Sequence, residues 1–132
     1  MTISASIKNS LHKNEVTVST NSQSKTVSIP SKESGYGSSV NGGELLLLAL
    51  ATCYCNDIYR EAAKRNIQVT EVEVQVTGNF GAEGEPGSNF QYKPIVKSNA
   101  SAEELRKLIE HTDSVAEIHN TLRRGTSVKL MY

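Results

Sequence analysis

The stretch from Leu45 to Ala51, in which every residue is apolar, constrains this chain more than any other feature. It lies inside a longer segment, Glu44 to Lys64, that contains neither Gly nor Pro and so reads as one long helix. A helix that is apolar all round is buried on all sides. After Cys55 the pattern becomes amphipathic, with Asp57, Arg60, Glu61, Lys64 and Arg65 expected to reach water. The reading is a central helix with an interior first half and an emerging second half. Asn41 serves as N-cap and Glu44 occupies N3, a capping box with Asn in place of Ser or Thr.

Around this helix the periods are those of strands. Residues 2–8, 15–20 and 24–29 alternate apolar with small polar residues and are separated by polar turns, as in an antiparallel meander. Residues 30–41, with Pro30, Gly35, Gly37 and several serines, form a loop. Residues 67–77 alternate strongly, and 89–97 supply the returning strand, with Pro94 pointing to an edge or a bulge. Ser101 and Glu104 open a second helix of about ten residues. A third helical stretch covers Ser114 to Arg123 and is stopped by Gly125, and Thr126 to Tyr132 reads as a last strand. The order βββ-α-ββ-αα-β implies an α+β fold with helices on one face of an antiparallel sheet. The expected organisation is a single domain over 1–132.

Composition excludes several classes. Fourteen Lys plus Arg balance fourteen Asp plus Glu, so there is no basic field to attract nucleic acid or an anionic membrane. The apolar run at Leu45–Ala51 is far short of the roughly 20 residues that cross a bilayer. The N-terminus lacks the basic and apolar regions of a signal peptide, so a cytoplasmic location is expected. Both cysteines lie in the long helix, where residues two apart point roughly 200° apart at about 100° per residue, so a Cys53–Cys55 disulfide is not expected. No C-x-x-C pair is present, and the spacing of His111, Asp113 and His119 matches no established zinc pattern. Neither a metal nor any other cofactor is implied.

The segment Glu44-Leu45-Leu46-Leu47-Leu48-Ala49-Leu50-Ala51-Thr52-Cys53 resembles the central-helix motif of the OsmC/Ohr family: a Gly- or Pro-containing loop, Glu-Leu, small and apolar residues, then Cys. The resemblance continues through the strand at 67–77 and Asn120-Thr121-Leu122-Arg123-Arg124-Gly125, and with the meander it covers essentially the whole chain. It implies an OsmC-like, tightly intertwined homodimer with the thiol site near the dimer interface. It also implies reduction of organic hydroperoxides: a thiolate attacks the peroxide, and a second Cys condenses with the resulting sulfenic acid. Cys53 falls on the position of the attacking thiol. The family's catalytic Glu comes one residue before Glu44, where this chain has Gly43, and the resolving Cys is replaced by Ala116. No Arg precedes Arg60, so the family's N-terminal Arg is also missing.

Two functional expectations follow. The first is a one-Cys route, in which Cys53 reduces an organic hydroperoxide and an external thiol regenerates it. The second is a non-peroxidatic member that binds a small apolar ligand or partner in the same interface pocket. Cys53 can equally be a packed core thiol, since free Cys is among the most buried residue types. Glu44 reads as a cap before a thiol activator, and Cys55 faces away from Cys53. Asp57 is read as an ion-pair partner for Arg60, and a carboxylate near a thiol opposes thiolate formation. His119, three residues after Ala116, is placed to approach the Cys53 region.

Overall fold

The computed structural model describes all 132 residues, Met1–Tyr132. The chain divides into two compact units, Met1–Leu45 and Leu46–Tyr132.

The first unit is an antiparallel meander of β1 (Ile3–Ser10), β2 (Lys13–Thr20) and β3 (Gln23–Thr26) in sheet order β1-β2-β3. Ile7 pairs with Val16 and Ala5 with Val18, so one face collects the apolar side chains. The face is thinly covered: Ile3 and Ile7 stay exposed, and Val16 is the only buried member of the sheet. Helix α1 (Gly42–Lys64) starts here. Its capping box forms in both directions, with the Glu44 N–H donating to Asn41 Oδ1 at 2.8 Å and the Asn41 N–H to Glu44 Oε1 at 2.9 Å.

The second unit holds the core. Strands β4 (Val69–Asn79) and β5 (Ser88–Ser98) form a two-stranded antiparallel hairpin in which Val72 pairs with Val96, Val74 with Pro94 and Val76 with Tyr92. In a two-stranded sheet β5 has an open edge, which is where Pro94 is tolerated. The irregularities of the ladder lie instead at Val69/Glu71 and Thr77/Asn79. Gly78 permits a close approach: a Cβ there would meet the Phe90 ring at 2.3 Å. Helix α2 (Ala102–Val115) is capped by Ser101 Oγ, which accepts from the Glu104 N–H, and α3 (Glu117–Arg124) follows after Ala116. Tyr54, Ile58 and Ala62 of α1 pack with Leu108 of α2 and Ala116, and the inward residues of β4 and β5 close the other side.

Four expectations change. The strands form two separate sheets rather than one. Helix α1 is only partly buried along its apolar half: Leu50 is buried, but Leu48 is 58% exposed and Leu45 is exposed too, and Tyr54, Ile58 and Ala62 of the second half carry the core. The small hairpin covers one side of the helix, which leaves Leu45 and Leu48 exposed while Leu46 and Leu47 are half-buried. Asp57 and Glu61 do not reach water but are buried, because Arg60 and Lys64 neutralise them from the rim and His111 hydrogen-bonds Glu61. Finally, Thr126–Tyr132 carries no strand. Gly125, with φ of 73°, ends α3 as expected, but a strand needs a neighbour for its N–H and C=O groups and none is supplied within the chain.

Candidate functional site around Cys53

Cys53 sits mid-way along α1, half-buried and packed against the core cluster. Asp57 follows it by four residues, so both side chains share one helix face. The Cys53 thiol donates to Asp57 Oδ2 at 3.4 Å and also lies 3.9 Å from Glu117 Oε2, at the first turn of α3. Arg60 closes the group, with Nη1 3.0 Å from Asp57 Oδ1 and 3.4 Å from Glu117 Oε1, and Nε 2.8 Å from Glu61 Oε2. Glu61 also receives Lys64 at 3.0 Å and His111 at 2.9 Å. The result is a row of carboxylates bridged by basic groups, with the thiol at one end.

The electrostatics follow from this packing. Burial pushes the Cys53 thiol up, and the charges of Asp57 and Glu117 and the hydrogen bond to Asp57 add to it, against a backbone contribution from Ile118. Burial and the neighbouring Glu117 raise Asp57, partly offset by Cys53 and Arg60. Glu117 is held low by its own backbone N–H at the start of α3, then by Asp57 and Arg60. Glu61 is held down to about 2 by hydrogen bonds from Arg60, Lys64 and His111. Cys53, Asp57 and Glu117 bring one ligand atom each within 4.8 Å of one another, close enough to share a cation. Arg60 already fills that role.

The other residues singled out by the sequence are dispersed. Glu44 is engaged in the cap of α1, two and a half turns before Cys53. Cys55 faces a different surface, bounded by Ala51, Thr52, Asn56 and Val74, and like Cys53 is a free thiol. Ala116 is fully buried in the cluster against which Cys53 packs. His119 does not join the thiol. It is buried against Tyr92, 4.5 Å between centroids, and Tyr54, 5.9 Å, and lines a separate cavity with Leu50. Asp57 pairs with Arg60 as expected.

Sequence reasoning missed Glu117. Its signal was available: it directly follows Ala116, a residue already singled out by the sequence, and it opens a helix. Arg123 was missed as a site residue as well. It donates from Nη2 to Asp113 Oδ1 at 2.6 Å, while the Tyr92 hydroxyl donates to the same carboxylate. Burial disfavours the Asp113 anion, but these two donors outweigh it and hold the carboxyl below its usual range.

Comparison with known proteins agrees with this architecture. Residues 35–131 match the OsmC-like protein family. An OsmC-like protein from Mycoplasma pneumoniae superimposes with a TM-score of 0.63 at 20% identity, over 91% of this chain and 87% of that one. The organic hydroperoxide resistance protein OhrB of Bacillus subtilis gives 0.56 at 15% identity, over 93% and 91%. A hydroperoxide resistance protein from Vibrio cholerae, crystallised with captopril in one active site, gives 0.56 at 21% identity, over 93% and 85%. Among curated proteins no sequence match is found. The chain belongs to the OsmC-like family. Its fold is α+β, with antiparallel sheets and three helices, and no helix is long and apolar enough to cross a membrane.

Proposed function

We propose that the protein is a one-Cys thiol reductase of organic hydroperoxides acting through Cys53. The observation that carries this is the meeting of a thiol, a carboxylate and a guanidinium at one point: Cys53, Asp57 and Arg60. The family's own Glu and Arg positions are vacated in this chain, and the same functional groups return from α1 and α3. Cys53 sulfur attacks the terminal oxygen of R–O–O–H, an S–O bond forms and the O–O bond breaks. The thiol proton passes to Asp57 and from there to the departing alkoxide, giving R–OH and Cys53 sulfenic acid. One external thiol then condenses with the sulfenic acid, releasing water, and a second frees Cys53 as its thiol. With Ala116 at the resolving position and Cys55 on another surface, no intramolecular disulfide enters the cycle. The raised thiol makes the reaction slow, since even an unperturbed thiol is only a few per cent thiolate near pH 7.

The reading is tested by treating the protein with an organic hydroperoxide and weighing the products. Sulfenic or sulfinic Cys53, abolished by Cys53→Ser, is the expected result. A Cys53–Cys55 disulfide, or no reaction at millimolar peroxide, overturns it.

A second reading, a family member that binds a small apolar ligand without peroxidase chemistry, is favoured by the acidic surroundings that keep Cys53 protonated. Both readings share a homodimer. Leu45 and Leu48 on α1, Ile3 and Ile7 on β1, and Val128 and Leu130 near the C-terminus are exposed apolar residues that a second copy would cover. A species of twice 14.4 kDa in sedimentation at micromolar concentration supports it, and a stable monomer removes it. Two free thiols suit a reducing compartment such as the cytosol.

A further inference from the structure

Away from Cys53, the second unit contains a cavity of about 270 Å³, just under the roughly 300–1,000 Å³ of small-molecule sites. Leu50, Val76, Phe90 and Leu122 give it apolar walls, and His119 and Arg123 of α3 are its basic side chains. His119 is only 4% exposed, yet neither Nδ1 nor Nε2 has a hydrogen-bond partner. Buried side-chain polar atoms are nearly always paired, so an imidazole left with both nitrogens free beside a cavity marks a place where something binds. Its ring is fixed by packing on Tyr92 and Tyr54.

We propose that this cavity binds a small amphipathic carboxylate, with its hydrocarbon chain against Leu50, Val76, Phe90 and Leu122 and its two oxygens shared between His119 and Arg123. The proposal rests on the ligand-binding reading and gives it a ligand class. Arg123 is held in place by Asp113, which takes Nη2, while Nη1 reaches the Asp113 carbonyl at 3.2 Å and Asn120 Oδ1 at 3.3 Å. Three of its five N–H donors are thus occupied and two remain. Its side chain is 49% exposed, so it stands at the rim where a charged head group keeps some water. Burial and the Arg123 charge keep His119 neutral, so it offers one N–H to the second oxygen. Two donors on separate side chains above an apolar pocket fit a carboxylate better than a hydroxyl, which would leave one of them idle.

The test is calorimetric titration of the full-length protein with sodium octanoate and, in parallel, octan-1-ol. Octanoate is expected to saturate at one site per chain and to bind at least tenfold more tightly than the alcohol. Arg123→Gln should weaken octanoate at least tenfold and change octanol by less than twofold. His119→Phe keeps the aromatic packing and removes both nitrogens, and should weaken octanoate similarly. Should that variant fail to fold by circular dichroism, the rim variant Arg123→Lys, which keeps the charge but loses the fork, should still weaken octanoate severalfold. Saturable octanol binding as tight as octanoate, or octanoate binding unchanged in Arg123→Gln, overturns the carboxylate while leaving a ligand site. No saturable binding of either probe overturns both.

Discussion

Replacing Asp57 by Asn tests how the protein holds its thiol. The substitution keeps size and hydrogen-bonding capacity but removes the charge 3.4 Å from Cys53 Sγ. Coulomb's law at that separation gives about 1.2 kcal/mol in a water-like dielectric and about 5 kcal/mol at an effective value of 20. Cys53 is half-buried, and Glu117 and Arg60 stay in place, so the water-like figure is the floor. It corresponds to about 0.9 of a pKa unit at about 1.36 kcal/mol per unit. Replacing the charged acceptor by a neutral amide oxygen works in the same direction, because the Asp57 carboxylate now stabilises the neutral thiol more strongly than an amide would. A one-unit fall raises the thiolate fraction at pH 7 about tenfold, but a less basic thiolate is a weaker nucleophile. With a Brønsted slope of about 0.4–0.5, alkylation should quicken by about three- to fourfold. The assay is the pH dependence of iodoacetamide labelling at Cys53 in a Cys55→Ser background, with peptide mass mapping. A thiol pKa that stays put or rises would show that Asp57 does not set the thiol's charge state. In the same variant, peroxide consumption per thiolate should fall, because the group that hands a proton to the departing alkoxide is gone.

The remaining expectations concern the scaffold. Glu61 is depressed in the folded chain, so the stability it contributes is complete above the ordinary Glu pKa of about 4.3 and is lost as pH falls towards 2. Acid unfolding monitored by circular dichroism should therefore begin at higher pH in wild type than in a repacked Glu61→Gln variant, measured relative to each protein's neutral stability. Leu108 is fully buried in the core of the second unit, and Leu108→Ala should cost about 2–5 kcal/mol in urea denaturation. Asn41→Ala removes one half of the α1 capping box and should cost about 1 kcal/mol by the same measurement, with Asn41→Ser close to neutral.

The fold was legible where local physics decides it. Alternation located the strands within a few residues, and the Asn41–Glu44 box placed the start of α1 because both hydrogen bonds are made within one turn. What could not be read was which side of α1 finds a partner. An all-apolar run says only that water is disfavoured, and the single chain covers the Tyr54–Ala62 end and Leu50 but leaves Leu45 and Leu48 exposed. Residues 126–132 failed for a related reason: alternation shows that a segment is fit to be a strand, and pairing must come from elsewhere. Within the site, Cys53, Asp57 and Arg60 lie within two turns of one helix, so spacing alone joins them. Glu117 and His119 come from a distant helix, and only the fold decides which of them meets the thiol.

Helix α3 binds these observations together. It has eight residues, yet Glu117 at its start touches the thiol network while His119, about half a turn on, and Leu122 and Arg123, about one and a half turns on, line the cavity. Leu50 and Cys53 sit one turn apart on α1 and divide between the same two places. A carboxylate arriving at the two free donors of Arg123 adds negative charge to the helix that presents Glu117 to Cys53. Ala116, fully buried in the core, anchors the N-terminal end of α3 next to Glu117. The thiol and the cavity therefore share two helices and an anchored joint. Burial sets the thiol's charge state first, and the Ile118 backbone, Asp57 and Glu117 adjust it, so the middle of α1 and the start of α3 act on Cys53 together.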